Sequence, residues 1–306
     1  MLEVVSSVAP VRGTQGQFTV TITRDWCTQH SVLGGFSAAV MLSAGRKFLN
    51  QELGEGRYPD PVHAFVQFLR EVYPGESTIT CDLLRKSSRQ CVVTVELKRA
   101  AAASGSFQRD SGTTTTLGVF TYANLSREQG LTQEPYPLPP ARTTLTRPSF
   151  PNRQTECIAI DDPVVDATPV TRKMHWVAPR SATGLWGHRL GGHNREVWLS
   201  FRDGTRISDI LHLAYLSDLP LHPPATHIPD FYAKHAISTL CLSIEFKRRP
   251  DPSTEWVLIR STSYQVARGR YDVSLQIYDE SETLLALSQH VVFTAHLKPA
   301  RAAGRL

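Results

Sequence analysis

The sequence predicts an α+β protein built from two tandem copies of one domain, each an antiparallel sheet curved around a central helix. Three observations predict it. The 306 residues accommodate two domains of ordinary size, and 41% hydrophobic with 20% charged residues matches a globular chain with a sizeable core. A helical segment followed by four β-rich runs occurs twice, first over 31–124 and again over 207–297. The copies are offset by more than a hundred residues, which suits a duplicated domain rather than a solenoid of small repeats.

In the first copy, residues 17–23 (Gln-Phe-Thr-Val-Thr-Ile-Thr) alternate apolar and polar and read as a strand. From Ser31 to Leu49, Leu33, Phe36, Ala39, Val40, Leu42, Ala44 and Phe48 occupy nearly every face, so that helix should be buried all round. Strands follow at 62–70, 77–86, 89–100 and 114–124. The low-complexity run from Ala100, between the last two, reads as a long hairpin loop. Eight of the 20 prolines fall between Pro135 and Pro169. Residues 131–172 therefore read as an extended linker between an N-terminal domain (1–130) and a C-terminal domain (173–306).

In the second copy, 195–202 form a strand closed by an Asp203-Gly204 turn. A helix over 207–218 takes Ser208 as N-cap, and Pro220 helps end it. Strands at 237–248, 254–264, 267–279 and 283–297 complete the copy. The concave face of a curved sheet must be covered, and a wholly apolar helix covers it. That is the hotdog arrangement, and two in tandem make a double hotdog.

The net charge of +5 is mild and dispersed, without the basic stripe interleaved with aromatics that nucleic acid demands. It suits a small phosphorylated ligand equally well. The N-terminus lacks a basic region followed by a long apolar run, and no stretch approaches membrane-spanning length. Five cysteines (27, 81, 91, 157 and 241) show no Cys-x-x-Cys spacing, as expected of free thiols in a reducing compartment. Together these features predict a cytoplasmic protein with neither membrane nor nucleic-acid partner.

No Gly-x-Ser-x-Gly elbow and no phosphate-cradling Gly-Lys-Ser/Thr loop occurs. His188, His193, His222, His227 and His235 lie in Gly- or Pro-rich stretches without a His-Glu-x-x-His form or cysteines at zinc spacing. They read as exposed loop histidines, and no metal or redox cofactor is expected. Gly34-Gly35 either presents N–H groups to a ligand or permits close packing at a helix start. The Lys247-Arg248-Arg249 cluster either receives phosphates or solvates a strand end.

In the second copy, Leu213-Ala-Tyr-Leu-Ser-Asp218, Thr239-Leu-Cys-Leu-Ser-Ile-Glu-Phe246, Glu255-Trp-Val-Leu, Ser261-Thr-Ser, Ala267-Arg-Gly269 and Ser288-Gln289 occur in one order. That series resembles the C-terminal half of acyl-CoA thioesterase II, the tandem-hotdog type of the thioesterase-like superfamily. Leu33-Gly34-Gly35-Phe36 opening a helix, with the strand at 62–70, resembles the N-terminal half. The resemblance covers nearly the whole chain outside the linker and the long loop. Several fungal relatives of this type serve secondary metabolism.

The resemblance implies an acyl thioester or polyketide-like small molecule as substrate, and pairing of double units into homo-oligomers through sheet edges. It also implies water attack without a covalent intermediate, a carboxylate, a hydroxyl and an amide orienting the water while backbone N–H groups polarise the carbonyl. Carried over, the hydroxyl is Thr262, the amide is Gln289, and the carboxylate position holds Cys241. A thiol supplies neither the charge nor the acceptor strength of a carboxylate at neutral pH. Three readings follow. Asp218 provides the carboxylate from the end of the second helix, His30 beside Gly34 and Gly35 acts as the base, or the fold binds and steers a biosynthetic intermediate without hydrolysing it. A hotdog dehydratase is a further alternative, and would require a carboxylate from the other copy to meet His30.

Overall fold

The computed structural model describes residues 7–99, 112–133, 157–160, 162–179, 193–219, 222–226 and 230–297, with Val5 and Ile228. Most of the expected hairpin loop after Arg99, together with His188 and His227, lies outside the described residues. The short strand β1 (Ala9–Pro10) pairs with β2 (Gln17–Ile22). In β2, Phe18, Val20 and Ile22 turn inward while Gln17, Thr19 and Thr21 stay outside, as a period of two requires. Helix α1 (Gly34–Leu53) runs 20 residues and buries Phe36, Val40, Met41, Leu42, Phe48 and Leu49. It ends where Gly54 adopts φ +94° and donates its N–H to the Asn50 carbonyl.

Strands β3 (Asp60–Phe68), β4 (Gly75–Lys86), β5 (Cys91–Arg99) and β6 (Thr114–Ala123) wrap α1 in the spatial order β2-β4-β5-β6-β3, every neighbouring pair antiparallel. Tyr122 anchors the helix by donating its hydroxyl to the Leu42 carbonyl at 2.8 Å. Gly45 leaves room for that hydroxyl, which a Cβ there would strike.

The second copy contains β7 (Cys157–Ala159), α2 (Pro169–Arg172), β8 (Met174–Pro179), β9 (Asn194–Phe201) and α3 (Ile210–Leu216). It continues through α4 (Phe231–Lys234), β10 (His235–Phe246), β11 (Val257–Thr262), β12 (Val266–Ala267), β13 (Arg270–Tyr278) and β14 (Leu284–His296). Its order, β10-β14-β13-β11-β9, repeats that of the first copy read outward from the middle, and β8 and β7 extend the far edge. Residues 157–172, read from composition as part of a linker, carry β7, a 3-10 turn at Pro163–Asp166 and α2. Pro163 and Pro169 each stand in the first turn of a helix, where proline's missing N–H costs nothing.

Strand β3 pairs antiparallel with β10, from Gln67 opposite Cys241 to His63 opposite Glu245. The two copies thereby share one sheet, fourteen-stranded among the described residues. Beside this seam the Arg249 guanidinium donates to both oxygens of Asp60 at 2.5 and 2.7 Å. The protein is a double hotdog.

Its copies are unequal. Helix α3 has 7 residues against the 20 of α1, and shorter helices and turns complete the cover of the second sheet. Asp209, not the expected Ser208, caps α3: its carboxylate accepts the Leu211 N–H, and His212 Nδ1 accepts the Asp209 N–H. Arg46 of α1 explains the choice, since its fork reaches both Asp209 oxygens at 3.2 Å. Burial pushes the Asp209 carboxyl up, but Arg46 and the Leu211 N–H outweigh it and hold the group below its ordinary range. Trp26 stacks on Phe36 at 4.5 Å and meets Tyr215 edge-on at 5.7 Å, packing the copies together. Among the described residues no helix is long and apolar enough to cross a membrane.

Candidate functional site

Helix α1 starts at Gly34 without a side-chain cap from Leu33. First-turn N–H groups need acceptors from elsewhere. One acceptor comes from the other copy: Gly35 N–H donates to Asp218 Oδ2 at 2.8 Å. A Cβ on Gly35 would stand 2.7 Å from the Ala214 carbonyl oxygen, and one on Gly34 would stand 2.8 Å from Asp218 Oδ2. Glycine at both positions therefore lets the start of α1 close onto the end of α3.

The Asp218 side chain, 7% exposed, turns its other oxygen toward His290 Nδ1 at 3.5 Å. His290 Nε2 lies 2.7 Å from Ser288 Oγ, two residues back on β14, and both side chains are buried. A neutral imidazole satisfies both contacts in one tautomer, with the Ser288 hydroxyl donating to Nε2 and the Nδ1–H facing the carboxylate. Ser288, His290 and Asp218 thus form a buried row of polar side chains that ends on the N-terminus of α1.

Deeper polar groups adjoin it. The His222 N–H donates to the Tyr232 hydroxyl at 2.6 Å, and the imidazole meets Tyr271 edge-on at 5.7 Å. Burial lowers the His222 pKa to about 4; Asp218 opposes the shift while His290 and Arg195 add to it. The ring is neutral at pH 7. Burial raises the Tyr232 hydroxyl to about 12, despite Arg195, and pushes that of Tyr271 well up. In the β13–β14 register Val273 stands opposite His290 and Tyr271 opposite Val292, so Tyr271 is the diagonal neighbour of His290 on the inner face. His222, expected as an exposed loop residue, instead has a buried Nδ1 and packs its ring against Tyr232 and Tyr271.

Of the residues singled out in the sequence, Gly34, Gly35 and Asp218 come together here. Thr262, Gln289 and Cys241 lie elsewhere, on the outer face of the sheet. Thr262 stands opposite Ser274, Ser274 opposite Gln289, and Gln289 opposite Ser243, two residues from Cys241. Gln289 is exposed, Thr262 donates to Asn194 Oδ1 at 2.8 Å, and Cys241 sits half-buried between Gln67 and Val291. Thr262 and Gln289 are two strands apart, about 10 Å, too far to hold one water between them. His30 stands exposed in the turn closed by the Thr28 N–H and the Ser31 carbonyl. Of the basic cluster, Arg249 is bound to Asp60 and Lys247 to Glu245.

His290 was missed from the sequence, and Ser288 figured there only beside Gln289, although a signal existed. Alternation along β14 directs Ala286, Ser288, His290 and Val292 inward, which places a polar pair on a core-facing row.

Residues 22–121 match the family model of the acyl-CoA thioesterase N-terminal domain, and residues 145–294 match that of the acyl-CoA thioesterase C-terminal domain. No curated protein matches the sequence. Among solved structures, a hot dog fold protein of unknown function from Alicyclobacillus acidocaldarius superposes with a TM-score of 0.70 at 16% identity, covering 97% of this chain and 98% of that one. A putative thioesterase II from Thermobifida fusca YX superposes with a TM-score of 0.67 at 18% identity, over 95% and 96%. The acyl-CoA thioesterase II TesB2 from Mycobacterium marinum gives 0.64 at 16% identity, over 97% and 99%. At these identities the structures bear on the fold alone.

Proposed function

The chain belongs to the acyl-CoA thioesterase family, with that family's N-terminal and C-terminal domains in tandem, and on that footing we propose that it hydrolyses an acyl thioester carried by coenzyme A. The observation that carries the proposal is that Asp218 of one copy accepts the Gly35 N–H of the other while facing His290. Hydrolysis needs a base for water and positive potential for the oxygen that becomes negative. Asp218 is the base. A carboxylate has more acceptor sites than Gly35 and His290 occupy, so it can also accept from a water. The N-terminal end of α1, a 20-residue helix, supplies the positive potential.

In this scheme Asp218 replaces the carboxylate that Cys241 cannot supply. Thr262 and Gln289, on the opposite face, take no part in proton transfer. His290 holds the carboxylate in register, and Ser288 holds His290.

The test is thiol release from acyl-CoA esters of graded chain length. Turnover is expected on at least one ester, with kcat falling about a hundredfold or more in Asp218→Asn, the size of a general-base contribution. No turnover on any ester would sink the hydrolase and leave a binding protein.

A further inference from the structure

Two buried polar atoms beside the reaction centre, His222 Nδ1 and the Tyr271 hydroxyl, have no hydrogen-bond partner among the described residues. They belong to rings in edge-to-face contact, with centroids 5.7 Å apart. Native proteins satisfy almost all such groups, and an orphaned pair at a candidate site calls for a ligand. We propose that His222 and Tyr271 form a polar subsite for an oxygen substituent on the acyl chain close to the thioester carbonyl, making the substrate class 3-hydroxyacyl or 3-oxoacyl thioesters rather than plain alkyl ones. The proposal rests on the reading of Asp218 as the reaction centre.

Position in the sheet supports it. Tyr271 is the diagonal neighbour of His290 on the inner face, and His222 lies within electrostatic reach of both Asp218 and His290. A substituent two carbons from the reacting centre suits a subsite so placed. The chemistry supports it too. A neutral imidazole and a protonated phenol together donate to and accept from a hydroxyl, or donate to a ketone oxygen, without adding charge. Burial lowers the pKa of Arg195, the cation nearby, while Asp162 opposes that shift, so this cation already faces a carboxylate. For an unsubstituted alkyl chain, two orphaned polar atoms would be a liability that Phe and Leu would not impose.

The experiment compares kcat/KM on octanoyl-CoA, 3-hydroxyoctanoyl-CoA and 3-oxooctanoyl-CoA for the full chain and for Tyr271→Phe and His222→Leu. Alongside it, calorimetry measures binding of two uncleavable CoA thioethers, octanoyl and 3-hydroxyoctanoyl, with a methylene between sulfur and carbonyl. The expected result is a preference of roughly a hundredfold for an oxygenated ester, as sites built to bond a substrate oxygen discriminate strongly. That preference should fall below about tenfold in Tyr271→Phe. Tyr271→Phe removes only an unpaired hydroxyl, so its melting temperature should be unchanged or raised. Equal or reversed preference in the parent protein overturns the subsite, as does a preference that both variants keep. If no ester is cleaved, the hydrolase reading fails separately, and the thioethers decide: tighter binding of the hydroxylated analogue sustains the subsite, and equal binding overturns it.

Discussion

Asp218 Oδ2 accepts the Gly35 N–H at 2.8 Å across 183 residues of sequence, tying the end of one central helix to the start of the other. A Cβ on Gly35 would lie 2.7 Å from the Ala214 carbonyl oxygen and 2.8 Å from that of Tyr215. Those are backbone atoms with nowhere to move, so Gly35→Ala must part the helices. It should cost about 1–3 kcal/mol of stability, the usual range for overpacking, and reduce thiol release together with it. Denaturant titration and the thiol assay measure both, and a fully active, fully stable variant would contradict the close approach.

The two faces of the sheet give a second test. Thr262 and Gln289 point outward while His290 and Ser288 point inward. Thr262→Ala and Gln289→Ala should each leave kcat/KM within about threefold, as surface substitutions commonly leave stability nearly unchanged. Ser288→Ala should lower kcat by about tenfold or more at unchanged KM. A hundredfold loss in the outer-face variants would move the reaction centre to that face.

Asp60 gives a stability test away from the site. Its side chain is 5% exposed and receives the Arg249 fork, while its Oδ2 also accepts the Leu125 N–H. Asp60→Asn removes the charge and turns one acceptor into a donor facing donors. Breaking a buried pair from one side costs about 3–5 kcal/mol, and because Arg249 is half-exposed the expectation here is the lower end. Chemical denaturation reads it, and a shift within error would show that the pair adds nothing.

His212 predicts acid sensitivity. Burial lowers its pKa from 6.5 to about 4, with Asp209 opposing the shift. The unfolded chain therefore binds this proton first. The stability that a neutral His212 confers is complete above about pH 6.5, falls as pH drops toward 4, and changes no further below that. The window spans about 2.5 pH units, or roughly 3 kcal/mol. His212→Gln keeps a capping-box acceptor and should remove that component. Melting at pH 7 and pH 4.5 should therefore differ less in the variant than in the parent, and equal differences would refute the assignment.

Much of the fold was legible because periodicity encodes burial. The alternation at 17–23 and the all-round apolar helix after Ser31 have single structural solutions, and β2 and α1 follow them. The second helix was harder to bound, since its cap depends on Arg46, 163 residues away, which favours Asp209 over Ser208. The candidate site was half legible. Gly34, Gly35 and Asp218 stood out, but motif order drew attention to Gln289 when the inward neighbour was His290.

The sequence by itself determined that the chain is two copies of a helix-and-sheet domain, because burial patterns of period 2 and 3.6 are local properties. It also supplied every group of the site. Only the tertiary structure decided which groups meet. A shift of one residue along β14 exchanges the core for the outer face, and the Asp218–Gly35 contact exists only after β3 and β10 join the copies into one sheet. Side-chain direction and long-range closure depend on register and packing, which no stretch of sequence contains alone.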